Sequence, residues 1–207
     1  MSSVQDIRYG ISKYKNMGGI TCYMNSILAI LQQTPIFADY IVTGKFKEHL
    51  LNNLNNNDDN LSQDDKVKNS ISYQLYILFK HSMEYEDSTL TPITLRKTIS
   101  RKNSIWAEHQ HQDSQEFLNF MITSLEDEIS SKIKFIPGRL FKEYNMDVLS
   151  SLENIIADTK WRSSIQNEYS LIKMLFTGLS QNIISCQYCG NKSNSFEIFQ
   201  LLSLSIP

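Results

Sequence analysis

The sequence predicts an α+β protein in which helices fill most of the chain and two strands form a ribbon near its C-terminal end. Apolar residues recur at helical spacing in three segments, whereas residues 179–201 carry β-compatible residues on both sides of a turn. The chain has 207 residues, of which 41% are hydrophobic, so it can bury a core of its own. We therefore expect one large domain or two small ones.

The composition argues against several classes of partner. The formal net charge is −2 and no long basic block is present, so the chain has little attraction for nucleic acid or for anionic membranes. No apolar run approaches the roughly 20 residues that span a bilayer, and the N-terminus has no apolar signal segment. Three cysteines, an odd number in a chain of this size, do not suggest a disulfide framework. We expect an intracellular protein of the cytoplasm or nucleus, without nucleic-acid or membrane partners.

Cys22 stands at the start of the first predicted helix, just after two glycines. Gly18 and Gly19 permit a turn with positive φ. A thiol at a helix N-terminus lies beside unsatisfied N–H groups, which favour the thiolate. A small buried thiol at a helix start is the ordinary structural alternative to a nucleophile. The helix is predicted from an apolar stripe formed by Met24, Ile27, Leu28 and Leu31.

Two further segments have apolar residues at helical spacing. The longer one begins at Asp113, which can cap it, and Glu116 three residues later completes a capping-box pattern. It predicts a helix of about 15 residues with its acidic residues on the solvent face. Its stripe consists of Leu118, Met121, Ile122, Leu125 and Ile129. The other segment, over 71–86, has a stripe of Ile71, Leu75, Leu78, Phe79 and Met83.

The remaining segments are shorter. The Asn- and Asp-rich tract 51–65 predicts a flexible surface loop, and Pro92 predicts the first position of a short helix capped by Thr91. Residues 133–141 look extended. Residues 170–178 predict a short helix ended by Gly178, and a turn containing two cysteines joins the two strands of the ribbon.

Several motifs resemble those of one family in both content and order. Thr21-Cys-Tyr-Met-Asn-Ser26, followed by an apolar helix, resembles the cysteine box of the ubiquitin-specific proteases, a papain-like group of deubiquitinating enzymes. Residues 111–118, His-Gln-Asp-Ser-Gln-Glu-Phe-Leu, resemble the family's Gln-Gln-Asp-Ala-Gln-Glu-Phe helix start. Residues 175–189 and the closing Leu-Ser-Leu-Ser-Ile-Pro of 202–207 resemble its Phe-x-Gly strand with half a zinc knuckle and the strand that follows.

The resemblance implies a papain-like cysteine peptidase fold. Residues 1–207 would form part of the catalytic domain, with a mainly helical thumb subdomain over about 16–178 that includes the Asn-rich loop 51–65. Residues 179–207 would begin the β-rich fingers, and the sheet-rich palm would be largely absent. The chain is expected to stop before the family's histidine box.

The activity implied by the resemblance is hydrolysis of the isopeptide or peptide bond at the C-terminal glycine of ubiquitin, with Cys22 as nucleophile. Ubiquitin or ubiquitinated proteins would be the partners, and catalysis would require no cofactor. The family also uses a histidine base and an Asn or Asp that orients it. Neither is identified here: the four histidines, which are His49, His81, His109 and His111, lie outside the family's Gly-His-Tyr-like context and are not assigned as the base.

The oxyanion donors implied by the resemblance are the Cys22 backbone N–H and an Asn side chain five residues earlier. In this chain Met17 occupies that position, and the nearest asparagine is Asn16, six residues before the cysteine. Either the loop carries one extra residue and Asn16 still reaches the oxyanion, or the side-chain donor is lost.

Gln112 and Asp113 are candidate substrate contacts. Asp113 has a structural role as a helix cap, and by resemblance the start of this helix also lies along the channel that receives ubiquitin's arginine-bearing tail. The two roles are compatible.

Cys186 and Cys189 form half of a zinc site, since two thiolates on a tight turn can fill two tetrahedral positions. Cys22 is the other cysteine of the chain, so structural zinc requires a second cysteine pair from elsewhere. A knuckle without metal, kept as a turn, is the alternative.

Two rival functions remain at this point. A non-catalytic relative could bind ubiquitin or act as a scaffold while lacking the histidine-bearing half. A general papain-like peptidase is disfavoured, because the sequence around Cys22 lacks the Cys-Gly-Ser-Cys-Trp pattern.

Overall fold

The computed structural model of the chain describes residues 12–54, 62–85, 88–131, 148–166 and 168–203. The chain divides after Ser130 into two compact units. The predicted extended segment 133–141 and residues 204–207 of the closing motif lie outside the described residues. Among the helices described, none is both long and apolar enough to cross a membrane.

The first unit is mainly helical. A two-residue strand, β1 (Lys13–Tyr14), pairs in parallel with β2 (Thr89–Leu90). Short 3₁₀ turns lie at Met17–Gly19 and Ser104–Ala107. The helices described in this unit are α1 (Cys22–Gln32), α2 (Pro35–Val42), α3 (Phe46–Leu54), α4 (Gln63–Lys68), α5 (Ile71–Glu84), α6 (Ile93–Lys102) and α7 (Ser114–Ile129).

The predicted loop 51–65 is wrong at both ends, and its residues 55–61 lie outside the described residues. Its first four residues continue α3, and α4 begins at Gln63. The helix start is stabilised because the Ser62 hydroxyl accepts a hydrogen bond from Asp65 N at 3.2 Å, and the acidic residues of the first turn suit the positive end of the helix dipole. Helix α6 starts one residue later than predicted, with Pro92 as its N-cap.

Most residues of the predicted stripes lie in the core of the first unit, but Met83 is 37% exposed, and Leu78 and Leu118 are only half-buried. Helix α7 buries Met121, Ile122, Leu125 and Ile129, and Asp113 caps it by accepting a hydrogen bond from Glu116 N at 2.9 Å, as predicted. Helices α1, α2 and α5 contribute further fully buried side chains, which include Met24, Leu28, Leu31, Phe37, Ile41, Ile71, Leu75 and Phe79.

Glu128 contradicts the prediction that the acidic residues of α7 face solvent, because it is only 8% exposed. Its carboxylate accepts hydrogen bonds from Ile71 N and Ser72 N, both at 2.8 Å, and from the Ser72 hydroxyl at 2.7 Å. Lys102 Nζ lies 2.8 Å from the same carboxylate. The unpaired N–H groups at the start of α5 need acceptors, and Glu128 supplies them from another helix.

The second unit contains two described helices and an antiparallel ribbon. The helices are α8 (Val148–Ile165) and α9 (Leu171–Phe176). Strand β3 (Gly178–Ser185) pairs with β4 (Lys192–Phe199), from Gly178 opposite Phe199 to Ser185 opposite Lys192. The connecting turn closes through Cys186 N, which donates to Asn191 O at 2.8 Å, and Gly190 has a φ of 69°. The predicted ribbon with a cysteine-bearing turn is therefore confirmed.

Gly178 does not end a helix, in contrast to the prediction. Helix α9 stops at Phe176, Thr177 is its C-cap, and Gly178 is the first residue of β3. A Cβ at this position would lie 2.5 Å from Cζ of Phe199. Glycine is required there because the Phe199 ring packs directly against the backbone of the facing strand.

Candidate active site

Cys22 is the first residue of α1, and its side chain is exposed. The chain enters the helix through the 3₁₀ turn Met17–Gly19, in which Gly18 and Gly19 have φ values of 62° and 77°. Residues with a Cβ rarely adopt these angles, so the two glycines allow the turn that the sequence predicted. The first backbone N–H groups of a helix have no partner within it. Cys22 therefore lies at the end of α1 where such hydrogen-bond donors are available.

Asn16 and Thr21 close the turn that precedes Cys22. Thr21 N donates to Asn16 Oδ1 at 2.8 Å, and the Thr21 hydroxyl lies 3.3 Å from the same oxygen. Met17 N in turn donates to Thr21 Oγ1 at 2.8 Å. Since a backbone N–H is a donor, the Asn16 oxygen is fixed toward Thr21, and its amide nitrogen is the end that can serve an external acceptor. Asn16 is exposed, whereas Thr21 is fully buried.

Helix α1 is anchored along its length. Asn25 Nδ2 donates to the backbone oxygen of Tyr14 at 3.2 Å, and the Tyr14 hydroxyl donates to Gln32 Oε1. Gln32 Nε2 donates to the Ser82 hydroxyl of α5 at 2.6 Å. Burial raises the pKa of Tyr14 well above its usual value, which keeps the phenol a neutral donor. Cys22 is therefore carried by a helix that side-chain hydrogen bonds tie to β1 and α5.

An aromatic cluster joins the start of α1 to the start of α7. The Trp106 ring centroid lies 5.8 Å from Tyr23, 5.1 Å from Phe117 and 5.4 Å from Phe120. Tyr23 and Phe117 also meet edge to face at 5.3 Å. These offset and edge-on contacts have the spacing of favourable aromatic pairs. The cluster brings the segment before α7 close to Cys22.

His111 is the residue that this packing places beside the nucleophile candidate. Its Nδ1 lies 3.8 Å from Cys22 Sγ, within hydrogen-bonding reach for sulfur, although 89 residues separate the two in sequence. Sequence reasoning did not assign His111. The signals available were its place two residues before the helix cap Asp113 and the resemblance that puts the start of this helix along the substrate channel.

The segment before α7 is held in place by side chains on both sides of His111. Arg96 donates to the carbonyl oxygens of Trp106, Ala107 and Glu108 at 3.3, 3.4 and 3.1 Å. Gln112 Nε2 donates to Ile105 O at 3.4 Å, so this predicted substrate contact also has a structural role.

The other candidate residues lie in different surroundings. His49 Nδ1 is 2.8 Å from the Tyr40 hydroxyl, and burial raises the pKa of Tyr40 to about 12. The His81 ring packs against Tyr85 at 4.6 Å. These contacts give both histidines a structural role.

Cys186 and Cys189 are exposed free thiols in the turn of the second unit. Hydrogen bonds from the backbone of Cys189 and Tyr188 lower the pKa of Cys186. Across the described ranges, no three His, Cys, Asp or Glu side chains are grouped closely enough to hold a metal ion. The two cysteines thus supply only part of a zinc ligand set.

Residues 12–203 match the family model described as ubiquitin carboxyl-terminal hydrolase. The chain is 28% identical over 206 residues to ubiquitin carboxyl-terminal hydrolase Usp2 of Drosophila melanogaster, covering 100% of the chain and 20% of that protein. It is 28% identical over 208 residues to ubiquitin carboxyl-terminal hydrolase 12 of Saccharomyces cerevisiae, covering 96% of the chain and 16% of that protein. For human ubiquitin carboxyl-terminal hydrolase 15 the identity is 26% over 198 residues, with coverage of 96% and 19%. The chain therefore spans about a fifth of the length of these relatives.

Proposed function

Because the chain belongs to the ubiquitin carboxyl-terminal hydrolase family, we propose that it carries the nucleophile-bearing part of a cysteine-type deubiquitinase. Its substrates are ubiquitin or ubiquitinated proteins, cleaved after the C-terminal glycine of ubiquitin. The observation that carries the proposal is Cys22, an exposed thiol at the start of the anchored helix α1. We assign about 16–178 to a helical thumb and 179–207 to the start of the β fingers.

The proposed reaction begins with attack of the Cys22 thiolate on the carbonyl carbon of the scissile bond. The bond to the leaving amine breaks, the amine takes up a proton, and a thioester remains on Cys22. Water then attacks the thioester and releases the ubiquitin carboxylate. The N-terminal end of α1 favours negative charge on the oxyanion.

Asn16 is proposed as the side-chain donor to the oxyanion. Its oxygen is held by Thr21 N, which leaves the amide nitrogen as its donor end. Gln112 and Asp113 are proposed to face the ubiquitin tail, where the exposed Asp113 carboxylate suits an arginine. Cys186 and Cys189 would supply two thiolates to a structural zinc ion if a second cysteine pair is present, and catalysis itself requires no cofactor.

Reaction with ubiquitin that bears a C-terminal thiol-reactive electrophile tests the proposal. We expect the chain to gain the mass of one ubiquitin. We expect Cys22→Ser to gain none, because the serine hydroxyl is a much weaker nucleophile than the cysteine thiol. The intact mass of both variants provides the measurement.

A variant with Cys186→Ser and Cys189→Ser is the matched control and should still react once. An adduct that persists in Cys22→Ser, or no adduct on a chain shown by circular dichroism to be folded, would contradict the proposal. Binding of ubiquitin without an adduct would favour a non-catalytic relative.

Replacing Asn16 by alanine tests the oxyanion assignment. Loss of one such donor typically slows catalysis by about 10²–10³-fold, so hydrolysis of a fluorogenic ubiquitin C-terminal amide should fall by that amount while KM changes little. Asn16→Asp is the matched control: it keeps an oxygen for Thr21 N but cannot donate to an oxyanion. If Asn16→Asp retains full activity, Asn16 serves only to close the turn.

A further inference from the structure

We propose that a basic groove along α6 binds an acidic, extended segment of a partner protein. The groove has a volume of about 520 Å³, which is within the range of ligand-binding clefts. It lies in the first unit, and its lining includes Met17, Ile93, Arg96, Lys97, Arg101 and Ala107. The proposal is independent of the proposed function, because it concerns a surface that does not include Cys22.

One side of α6 lines the groove. Ile93, Lys97 and Arg101 follow one another at intervals of four residues, so they form a row along the helix. The opposite side of α6 is buried through Leu95 and Ile99. Ile93 is 49% exposed although it is apolar. The row therefore presents one apolar side chain followed by two cations.

The positive charge of the groove is not neutralised by the protein. In the described part of the chain, Arg96, Lys97 and Arg101 form no ion pair, and no acidic residue lines the groove. Arg101 Nη1 donates to the uncharged Asn69 Oδ1 at 2.6 Å, which orients the guanidinium but leaves its charge. The helix dipole favours a cation in the last turn, which accounts for Arg101 but not for Lys97 in the middle of α6.

The spacing of the row fits an extended peptide. Residues four apart on a helix are separated by about 6 Å along its axis. Alternate side chains of an extended segment are about 6.7 Å apart and point to the same side. A segment with an apolar residue and then two acidic residues at alternate positions can therefore cover Ile93 and reach Lys97 and Arg101. Each carboxylate would form a charge-assisted contact with its cation.

Two other ligands suit the groove less well. The ubiquitin tail implied by the resemblance carries arginines, which the cations of the groove would repel. Nucleic-acid binding draws on many phosphate contacts, whereas the groove offers three cations on a chain with a net charge of −2. The apolar side chains of Met17 and Ile93 also suit a peptide better than a phosphate backbone.

The groove also reaches the turn that precedes Cys22. Met17 begins this turn, and its N–H donates to Thr21 Oγ1 at 2.8 Å. Asn16, the proposed oxyanion donor, is the preceding residue. A segment held in the groove therefore contacts the turn that leads into the candidate active site.

Fluorescence anisotropy with two labelled peptides tests the proposal on the whole chain. The acidic probe is fluorescein-labelled Leu-Ser-Asp-Ser-Glu, and the matched probe is Leu-Ser-Asn-Ser-Gln. We expect the acidic probe to bind saturably and the amide probe to bind about tenfold more weakly, because each exposed charge contact contributes about threefold. Raising the ionic strength from about 0.1 M to about 1 M should shrink this difference, since the screening length falls from about 10 Å to about 3 Å.

Two pairs of variants locate the binding site. Lys97→Gln should weaken binding of the acidic probe by about threefold. Lys160→Gln is its control, because it removes the same charge from an exposed position of α8 and should change nothing. Ile93→Ser should weaken both probes by about fivefold through lost apolar contact. Its control is Ile77→Ser, since Ile77 is 47% exposed but lies outside the groove.

Several results would overturn the proposal. These are equal affinity for the two probes, equal effects of Lys97→Gln and Lys160→Gln, or no saturable binding of the acidic probe at about 1 mM folded chain. Displacement of the probe by single-stranded DNA, lost in Lys97→Gln, would assign the groove to nucleic acid instead. Sedimentation as a dimer that Lys97→Gln converts to a monomer would assign it to a second copy of the chain. Failure of the proposed function is read separately, from the reaction of Cys22 with the ubiquitin electrophile.

Discussion

Replacing Glu128 by alanine is expected to lower the free energy of unfolding by about 3 kcal/mol, which is a large fraction of the stability of a small domain. The substitution leaves two buried N–H groups, those of Ile71 and Ser72, without their acceptor, and it leaves Lys102 without its partner. Lys102 is 35% exposed and can turn toward water, so most of the loss comes from the two N–H groups. Urea denaturation followed by far-UV circular dichroism provides the measurement.

Two variants make this prediction specific. Asp127→Ala removes an exposed acid from the neighbouring position of α7 and should change stability by no more than about 0.5 kcal/mol. Glu128→Gln keeps an oxygen acceptor in the same place, so its effect should fall between the other two. Equal losses for Asp127→Ala and Glu128→Ala would mean that the carboxylate does not stabilise the start of α5.

Replacing Trp106 by alanine is the second change with a large expected effect, with a loss of about 3–5 kcal/mol of unfolding free energy. Trp106 is 1% exposed, and its ring packs between Tyr23, Phe117 and Phe120. Removing the ring leaves a cavity where α1 meets the segment before α7. Urea denaturation followed by far-UV circular dichroism measures the loss.

The matched control is Tyr188→Ala, which removes an aromatic ring that is fully exposed. Its stability should equal that of the wild type. Trp106→Phe keeps an aromatic ring in the cluster and should lose less stability than the alanine variant. A Trp106→Ala chain that unfolds at the wild-type urea concentration would show that the cluster does not join the two helix starts.

Local patterns carried most of the correct predictions. The stripe of α1 and most of the stripes of α5 and α7 are buried as their spacing indicated, because a helix in a globular unit must place its apolar residues on one side; Met83 at the end of α5 is the exception, at 37% exposed. The Asp113 cap, the glycine turn before Cys22 and the cysteine turn between β3 and β4 depend on residues only a few positions apart. The motifs that resemble the family predict Cys22 as the nucleophile from residue order, and this role stays a prediction.

Two of the wrong predictions concern residues whose surroundings come from distant segments. Glu128 looked like one more surface acid of α7, but the start of α5, more than 50 residues away, needs its carboxylate. Gly178 looked like a helix terminator, but the ring of Phe199 on the facing strand requires a glycine there. In each case the local pattern was compatible with two roles, and a contact formed by folding selected one of them.

The sequence by itself therefore determined helices α1, α5 and α7, the ribbon, the place of Cys22 at a helix start, and membership in the family, since all of these depend on residue order and local spacing. It did not indicate other helices, such as α8. Only the tertiary structure decided which groups surround the thiol. The packing of α1 against α7 through the Trp106 cluster brings His111 to 3.8 Å from Cys22 Sγ across 89 residues of sequence. Such a contact depends on how two apolar helix faces fit together, and no short-range pattern encodes that fit.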